Sequence, residues 1–467
     1  MRSKKEFDVI ILGGGAAAFG AAMKADELGA KTAMIEQGTL GGTCVNVGCL
    51  PTKHLLHVAE RVHSTNHHLV VGLTSKASIQ FQTIMEEKDN LVTQMREEKY
   101  EQVLANLPNV TLIQGYARFV SRNAVEVNGE TYQAERFIIA TGSSTFIPPI
   151  KGIEETNYLT NIEALSLKRR PASMIVLGGG PLGVEFAQMY ARFGTQVCML
   201  QKAARLVPRE EPELSRLLQH YLETEGIEIY TSVDVQATYK EDQEVVVTAI
   251  VDGETRVYRA EALLVATGRR PNTSGYGLEL TGVELDTRGG IIVNKEMQAA
   301  EHVWAAGDVK GEPMLETIAA REGFIAAHNA LSPSKRQMDY TVVPHAIFTD
   351  PQLASVGLTD EQANQQGTIC SCRTISMDLV PKARTIKDTR GAIKMVLDNE
   401  TQRIVGIHIL APTAADLIHE ATFILKANLT IYDVIDTLHV FPTLSEGIKI
   451  AAQSFVRDVR KMACCVE

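Results

Sequence analysis

The chain runs through the same pattern twice. Residues 7–37, FDVIILGGGAAAFGAAMKADELGAKTAMIEQ, and residues 172–202, ASMIVLGGGPLGVEFAQMYARFGTQVCMLQK, each read as strand, glycine turn, helix, glycine and strand. Each carries a dinucleotide-binding fingerprint, Gly13-x-Gly15-x-x-Ala18 and Gly178-x-Gly180-x-x-Gly183. Glycine is needed there because a side chain would hold a pyrophosphate away from the N–H groups at the helix N-terminus. One such turn arises readily by chance. Two, each set between an apolar strand and a helix, commit the chain to an α/β class with two Rossmann-like dinucleotide-binding domains.

The residue that ends the second strand of each copy separates the two sites. In the first it is Glu36, a carboxylate able to accept from both ribose hydroxyls of an unphosphorylated adenosine, which suits FAD. In the second it is Gln201, followed by Lys202 and Arg205. No carboxylate repels a 2′-phosphate there and two cations stand near it, so NADPH is favoured over NADH; the alternative reading of the cations is a solvated loop. Two more apolar runs end in small residues, FIIATGSST (137–145, with Gly142) and LLVATGRRPNT (263–273, with Gly268), and VWAAGDV (303–309) presents Asp308 after another. Strand ends of this kind are where α/β sheets bind ligands.

At 467 residues the chain has room for two or three cores. The expected division is an FAD-binding domain over 1–150, an NADPH-binding domain over 151–270, and a second part of the FAD domain over 271–340. An α+β domain over 341–467 follows, carrying strands such as GAIKMVLD and RIVGIHIL and apolar helices that a homodimer would cover. Residues 80–106 read as an amphipathic surface helix without chemistry of its own. Hydrophobic residues make up 45% and charged residues 22%, the balance of a soluble globular protein. The first strand follows Met1 within a few residues, so no signal segment is read and a cytoplasmic address is expected. A net charge of -10 without a basic stripe argues against nucleic acid.

Seven cysteines in a chain of this kind point to redox or metal chemistry rather than a disulfide framework. Two lie in GGTCVNVGCLPTK (41–53), on a tight loop just before a helix that Pro51 opens; a thiolate on Cys49 would sit where the helix N-terminus lowers its pKa. Two more, Cys464 and Cys465, stand in KMACCVE, where adjacent thiolates on a tail suit capture and release of a soft cation. Cys198 reads as a small buried hydrophobe in a strand. Cys370 and Cys372 alternate with Ser371 and could share one strand face as a secondary metal site, with no third ligand nearby in sequence. The histidines of HSTNHHLVV (63–71) fit no ligand spacing and read as a solvated helix end.

Taken together, the double-cysteine loop beside an FAD fingerprint, the second fingerprint, ATG, AAGDV and the third domain resemble the flavin-dependent pyridine nucleotide–disulfide oxidoreductases over essentially the whole chain. The resemblance implies that Cys44 and Cys49 form a redox-active disulfide beside the flavin, that Lys53 pairs with Glu185 near the flavin ring, and that Thr43 and Ala117 also contact FAD. Disulfide reductases of the family, dihydrolipoamide dehydrogenase among them, place a proton-accepting histidine directly before a proline near the C-terminus. Here LHVFPTLSEG (438–447) has Phe441 before Pro442, and a phenyl ring moves no proton. His439 lies two residues earlier and reads as an ordinary packed or surface histidine, which leaves Glu446 without its histidine partner.

With the Cys464–Cys465 tail, LVPKARTIKDTRGAIKMV (379–396) and EGIKIAAQSFVRDVRK, the resemblance is to the members that reduce Hg(II) to Hg(0). It implies that NADPH reduces FAD, that the flavin reduces Cys44–Cys49, and that Cys464 and Cys465 of the partner subunit pass Hg(II) to the inner pair by thiolate exchange. A flavoprotein that holds soft metals without turnover is the alternative from another class. The sequence departs from those members at Phe441, where they usually carry tyrosine, and at Pro181, where many relatives carry an aromatic. No Cys-x-x-Cys domain precedes the first strand, so Hg(II) is expected from small thiols or another protein.

Overall fold

The computed structural model describes residues 5–68 and 70–462. Strand β1 (Glu6–Leu12) enters the core, and Val9, Ile10, Ile11 and Leu12 are essentially without solvent contact. An apolar run buried on both faces is what a parallel sheet covered by helices requires. Helix α1 (Ala16–Glu27) returns the chain to β2 (Thr32–Glu36); α2 (Gly42–Val47), α3 (Cys49–Asn66) and α4 (Phe81–Arg96) follow, then β3 (Val110–Gln114) and β4 (Glu130–Ile139). The 80–106 segment is helical, as expected, with Met85, Lys88 and Val92 turned inward from α4.

The second copy of the pattern builds β5 (Ser173–Leu177), α5 (Pro181–Arg192), β6 (Gln196–Leu200), β7 (Glu228–Tyr230) and β8 (Ala262–Val265). These four strands form a parallel sheet in the order β7-β6-β5-β8. A three-stranded antiparallel sheet spanning 234–260 packs beneath it through Val245, Val247 and Ala249. The chain then returns to the first sheet with β9 (Val303–Ala305), which pairs in parallel with β4. The first sheet has eight strands; the run β9-β4-β1-β2-β3 is parallel throughout, while Gln298–Ala300 pairs antiparallel with β9, and Arg118–Ser121 and Ala124–Val127 extend from β4 as antiparallel strands.

Register decides where the site falls. Leu12 is opposite both Ile35 and Ile139, and Ile139 is opposite Ala305. Gly13, Glu36, Ala140 and Ala306 consequently emerge side by side at one sheet edge. In the second sheet Leu177 is opposite both Leu200 and Val265, which brings Gly178, Gln201 and Ala266 together in the same way.

Helix α6 (Glu316–Leu331) packs against α1 at very short range, because both contribute glycine to the contact: a Cβ on Gly20 would come within 2.2 Å of the Ala320 carbonyl oxygen, and one on Gly323 within 1.9 Å of that of Ala17. The C-terminal region is an antiparallel sheet of β10 (His345–Ile347), β11 (Gln352–Gly357), β12 (Cys370–Ser376), β13 (Ala392–Asp398) and β14 (Ile404–Ala411), in the order β10-β11-β14-β13-β12. Helix α7 (Asp360–Gln365) precedes β12. The helices Ala414–Lys426, Ile431–Asp436 and Glu446–Gln453 share its core through Ile418, Ala421, Val434, Ile448 and Ala451. Arg192, held by Glu225 at 2.6 Å and by Asp350 at 2.8 Å, pins α5 to this region, and Arg390 adds a bond of 2.7 Å to Asp350.

Candidate functional site

A cavity of about 480 Å³ opens at the carboxyl edge of the first sheet. It is lined by Gly13, Gly15, Glu36, Thr43, Cys44, Ala117, Gly142 and Asp308, so these residues of the first fingerprint and its neighbours share one wall-to-wall space. Ala18 lies one turn into α1 and is fully buried. Gly13 has φ +121°, and a Cβ there would meet the Ala140 oxygen at 2.2 Å. Gly15 ends the turn at the N-terminus of α1 and faces Gly42, where a Cβ would lie 2.8 Å from the Gly15 Cα. The result is a side-chain-free cradle under exposed helix N–H groups, and it fits the pyrophosphate of a dinucleotide.

The cysteine segment is helical where a loop was expected. Gly41, at φ +94°, turns the chain into α2, which carries Cys44, and α3 begins at Cys49 rather than at Pro51. Gly48 makes the break tight: a Cβ would come within 2.7 Å of the Thr43 carbonyl oxygen and 3.2 Å of the Cys44 Cα. Both cysteines are free thiols in this structure. The Cys44 thiol donates to Cys49, and that hydrogen bond, with burial and the Cys49 charge, drives Cys44 far above the ordinary thiol range. The same bond, helped by the Lys53 ammonium, pulls Cys49 below it. Cys49 is thus the more readily ionised of the pair, at the first position of a helix whose dipole also favours negative charge.

Lys53 reaches Glu185 on α5, with Nζ 3.0 and 2.8 Å from the two carboxylate oxygens. Glu185 also accepts the Phe348 N–H at 2.8 Å, and the Lys53 ammonium stands 4.5 Å from the Phe348 ring centre. One buried carboxylate therefore ties together the cysteine-bearing helix α3, the second repeat and the C-terminal region.

Several residues of the site carried little or no signal in the sequence. Tyr100 lies in the helical segment read as chemically silent, yet its hydroxyl donates to Glu316 Oε1 at 3.3 Å, and Glu316 stands within hydrogen-bond reach of the Cys44 sulfur. Burial raises the Glu316 carboxyl above its ordinary value, and burial with the Glu316 charge holds the Tyr100 phenol up. Arg269 follows the second ATG run and lines the first cavity, donating to Ser143 Oγ at 2.7 Å while Ser143 donates to Asp308 at 2.6 Å. Burial pulls the Arg269 guanidinium below its ordinary value, and the Asp308 and Cys49 charges oppose that. The signal that could have found Arg269 is its place directly after a strand-end glycine.

The second fingerprint has the same build. Gly178 has φ +105°, with Ala266 oxygen 2.4 Å from a Cβ there, and a Cβ on Gly183 would lie 2.0 Å from the Gly178 oxygen. Gly180 is open and caps α5, whose first residue is Pro181. Gly268, at φ +113°, lies on the neighbouring strand end with open space around it. Gln201 is buried and holds the turn, accepting from Gly179 N–H at 3.0 Å and donating to the Arg205 oxygen at 3.2 Å. Lys202 is exposed. The Arg205 Nε is buried and has no hydrogen-bond partner among the described residues. An orphaned cationic donor beside a glycine cradle fits a phosphorylated dinucleotide.

Near the C-terminus His439 is committed within its own chain: Nε2 contacts Glu420 Oε1 at 2.7 Å and Nδ1 contacts the Thr437 oxygen at 3.1 Å. The Glu420 bond raises its pKa. Glu446 is left with a buried Oε2 that has no partner among the described residues and a carboxyl raised by burial. Leu438, Val440 and Phe441 are 88%, 76% and 46% exposed, an apolar surface of the kind a partner subunit covers. His63 stacks on His67 at the end of α3, 4.6 Å between ring centres. Cys198 is partly buried in β6, and burial pushes its thiol up to about 12. Cys464 and Cys465 lie outside the described residues.

Residues 7–323 match the family model of the pyridine nucleotide-disulphide oxidoreductases and residues 343–452 that of their dimerisation domain. The chain belongs to this family: it is an oxidoreductase, it uses FAD and NADPH, and it forms a homodimer. Among its relatives over nearly its whole length are mercuric reductases. It is 39% identical to that of Staphylococcus aureus, covering 98% of this chain and 84% of the relative, and 38% identical to that of Streptomyces lividans, covering 98% of each. Among solved structures it resembles the HOCl-induced flavoprotein disulfide reductase RclA of Escherichia coli, at 31% identity and TM-score 0.86 over 96% of this chain and 99% of that one. The Cu(II) complex of that protein matches at 31% identity and TM-score 0.87, over 97% and 100% of the two chains. Among the described residues no helix is long and apolar enough to cross a membrane.

Proposed function

We propose that the protein reduces thiol-bound Hg(II) to Hg(0) with NADPH, the net reaction being NADPH + Hg(II) → NADP⁺ + H⁺ + Hg(0), and so serves mercury detoxification. The observation that carries this reading is the pairing of Cys44, which lines the first cavity, with Cys49 at the N-terminus of α3, where Cys44 and the Lys53 ammonium make Cys49 the more easily ionised of the two. Gly13, Gly15, Ala18, Glu36, Thr43, Ala117, Gly142 and Asp308 would hold FAD, which would supply a two-electron relay between the nicotinamide and the cysteine pair. Gly178, Gly180, Gly183 and Gly268 leave room for NADPH, and Lys202 with Arg205 favours its 2′-phosphate.

The residues then act in named ways. Cys49 takes the soft ion first, because a thiolate exchanges readily onto a soft d¹⁰ cation. Cys44 joins once its proton leaves, and Glu316, within hydrogen-bond reach of that thiol, is the group placed to take it. Lys53 and Glu185 fix the α3–α5 contact that holds the pair in place. Cys464 and Cys465 of a second subunit hand the ion in from small thiols or a delivering protein, so the active sites are shared. Phe441 is compatible with this chemistry because the metal itself needs no general base. The commitment of His439 to Glu420 counts against dithiol reduction of the lipoamide type.

The Cu(II) complex of the RclA structure favours one second reading, reduction of Cu(II) at the same pair. Anaerobic NADPH oxidation, run with Hg(II) or lipoamide in excess small thiol, with chelated Cu(II) in the absence of thiol, and with no acceptor, separates them. Hg(II)-dependent oxidation with one trapped Hg(0) per NADPH is expected. Oxidation with Cu(II) or lipoamide and no Hg(0) would replace the reading.

A further inference from the structure

Cys370 and Cys372 stand two residues apart on β12, the edge strand of the C-terminal sheet, and so project from one face. The third donor that the sequence did not offer comes from α7. Asp360 is its first residue, held by the Thr359 capping box and by its own N–H, which donates to Glu211 Oε1 at 2.7 Å. One carboxylate oxygen of Asp360 and the two sulfurs lie within 4.8 Å of one another, partly exposed. Among the described residues this is the one such grouping of histidine, cysteine and acidic side chains. The Cys370 thiol is 3.5 Å from Asp360 Oδ1 and 3.5 Å from Asn364 Oδ1, which adds an amide oxygen from the next turn of the helix.

We propose that Asp360, Cys370 and Cys372 form a second metal site, separate from the redox pair, that takes a thiophilic d¹⁰ divalent cation of the Zn(II) and Cd(II) class. Bonds of about 2.3 Å to sulfur and about 2.0–2.2 Å to a carboxylate oxygen set ligands about 3.5–4 Å apart around one ion. A small closing of three side chains reaches that geometry. The donor set mixes two soft sulfurs with oxygen, which selects such ions over Mg(II) or Ca(II). The surrounding charge also suits a cation: Glu211 and Glu213 flank the site, and the Lys394 ammonium, 3.9 Å from Asp360, is already bound to Glu211 at 2.9 Å. Burial, with the Asp360 hydrogen bond and charge, pushes Cys372 up to about 12 and raises Cys370. Neither the redox pair nor the dinucleotide cradles use any of these residues.

The test uses the reduced, chelator-washed holoprotein and Cd(II) alone as probe. Bound cadmium per chain and the sulfur-to-cadmium charge-transfer absorbance are compared between the wild type and Cys370→Ser/Cys372→Ser. The double variant should bind one fewer Cd(II) per chain, with flavin content and NADPH-dependent turnover unchanged. Asp360→Asn should weaken that one site tenfold or more. Equal cadmium in wild type and double variant at equal flavin content would overturn the proposal. Should the double variant not fold, alkylation of the wild type decides: Cd(II) should protect Cys370 and Cys372, and unprotected thiols at saturating Cd(II) would overturn it as well.

Discussion

Lys53 Nζ binds both carboxylate oxygens of Glu185, 132 positions along the chain, at 3.0 and 2.8 Å. Glu185 is buried, so replacing Lys53 by Met strands a carboxylate in the α3–α5 contact and removes a cation from the neighbourhood of Cys49. Turnover should fall by roughly tenfold to a hundredfold through misplacement of the pair. The pH profile gives the independent sign. Cys49 is depressed first by its hydrogen bond from Cys44 and then by Lys53, so in the wild type it ionises at a lower pH than a free thiol. In Lys53→Met that transition should move to higher pH, read as the rate of iodoacetamide alkylation of the reduced protein. An unmoved profile would mean that the ammonium is not felt at the sulfur.

Glu316 makes the opposite prediction for the other cysteine. Its charge is among the causes that hold Cys44 up, after the Cys49 bond and burial. Glu316→Ala should let Cys44 ionise, and be alkylated, at lower pH than in the wild type, while slowing metal turnover by removing the group placed to take its proton. Tyr100→Phe, which removes only a hydroxyl bonded to Glu316, should leave the alkylation of Cys44 nearly unchanged. Equal effects from both variants would point to a packing defect instead.

At the second cradle, Arg205→Ala with Lys202→Ala should raise the KM for NADPH by about tenfold or more, through loss of charge-assisted bonds to the 2′-phosphate. The KM for NADH should hardly move. A parallel rise for both nucleotides would show that the loop, rather than phosphate recognition, had been damaged.

Changing Cys464 and Cys465 together to alanine should impair turnover when Hg(II) arrives on thiol carriers, with FAD binding preserved. Stopped-flow oxidation of NADPH at limiting carrier-bound Hg(II) measures it. Unchanged rates would take the tail out of the mechanism.

Gly323→Ala tests the α1–α6 contact on which the first cradle rests. The new methyl would meet the Ala17 backbone oxygen at 1.9 Å, and backbone cannot swing aside as a side chain can. A loss of about 1–3 kcal/mol is expected, seen as a lower melting temperature and weaker flavin retention. Gly253→Ala, at an exposed turn with φ +80° and open space around it, should cost less and leave the flavin bound.

Much of this molecule could be read before its structure. Two glycine turns between strand and helix defined both dinucleotide sites, because close backbone approach leaves glycine as the acceptable residue at Gly13 and Gly178, and that demand is written locally. The carboxylate at Glu36 against the amide at Gln201 was equally legible, since each follows its strand at a set distance from the turn. The cysteine pair could be read because its chemistry depends on four intervening residues and a helix start. What the sequence could not contain was the meeting of distant segments. Tyr100 and Glu316 enter the site because sheet register and the α1–α6 packing carry them there, and nothing in their own neighbours in sequence marks them; Arg269 carries only its place after the strand-end Gly268. Asp360 is ten residues from Cys370, yet only the docking of α7 against an edge strand turns two thiols and a carboxylate into one set of ligands. The same holds for His439, whose residue type allows proton transfer and whose bond to Glu420 assigns it elsewhere. Local backbone requirements leave a signature in the residues that meet them; contacts between elements are set by tertiary packing, which many different sequences satisfy.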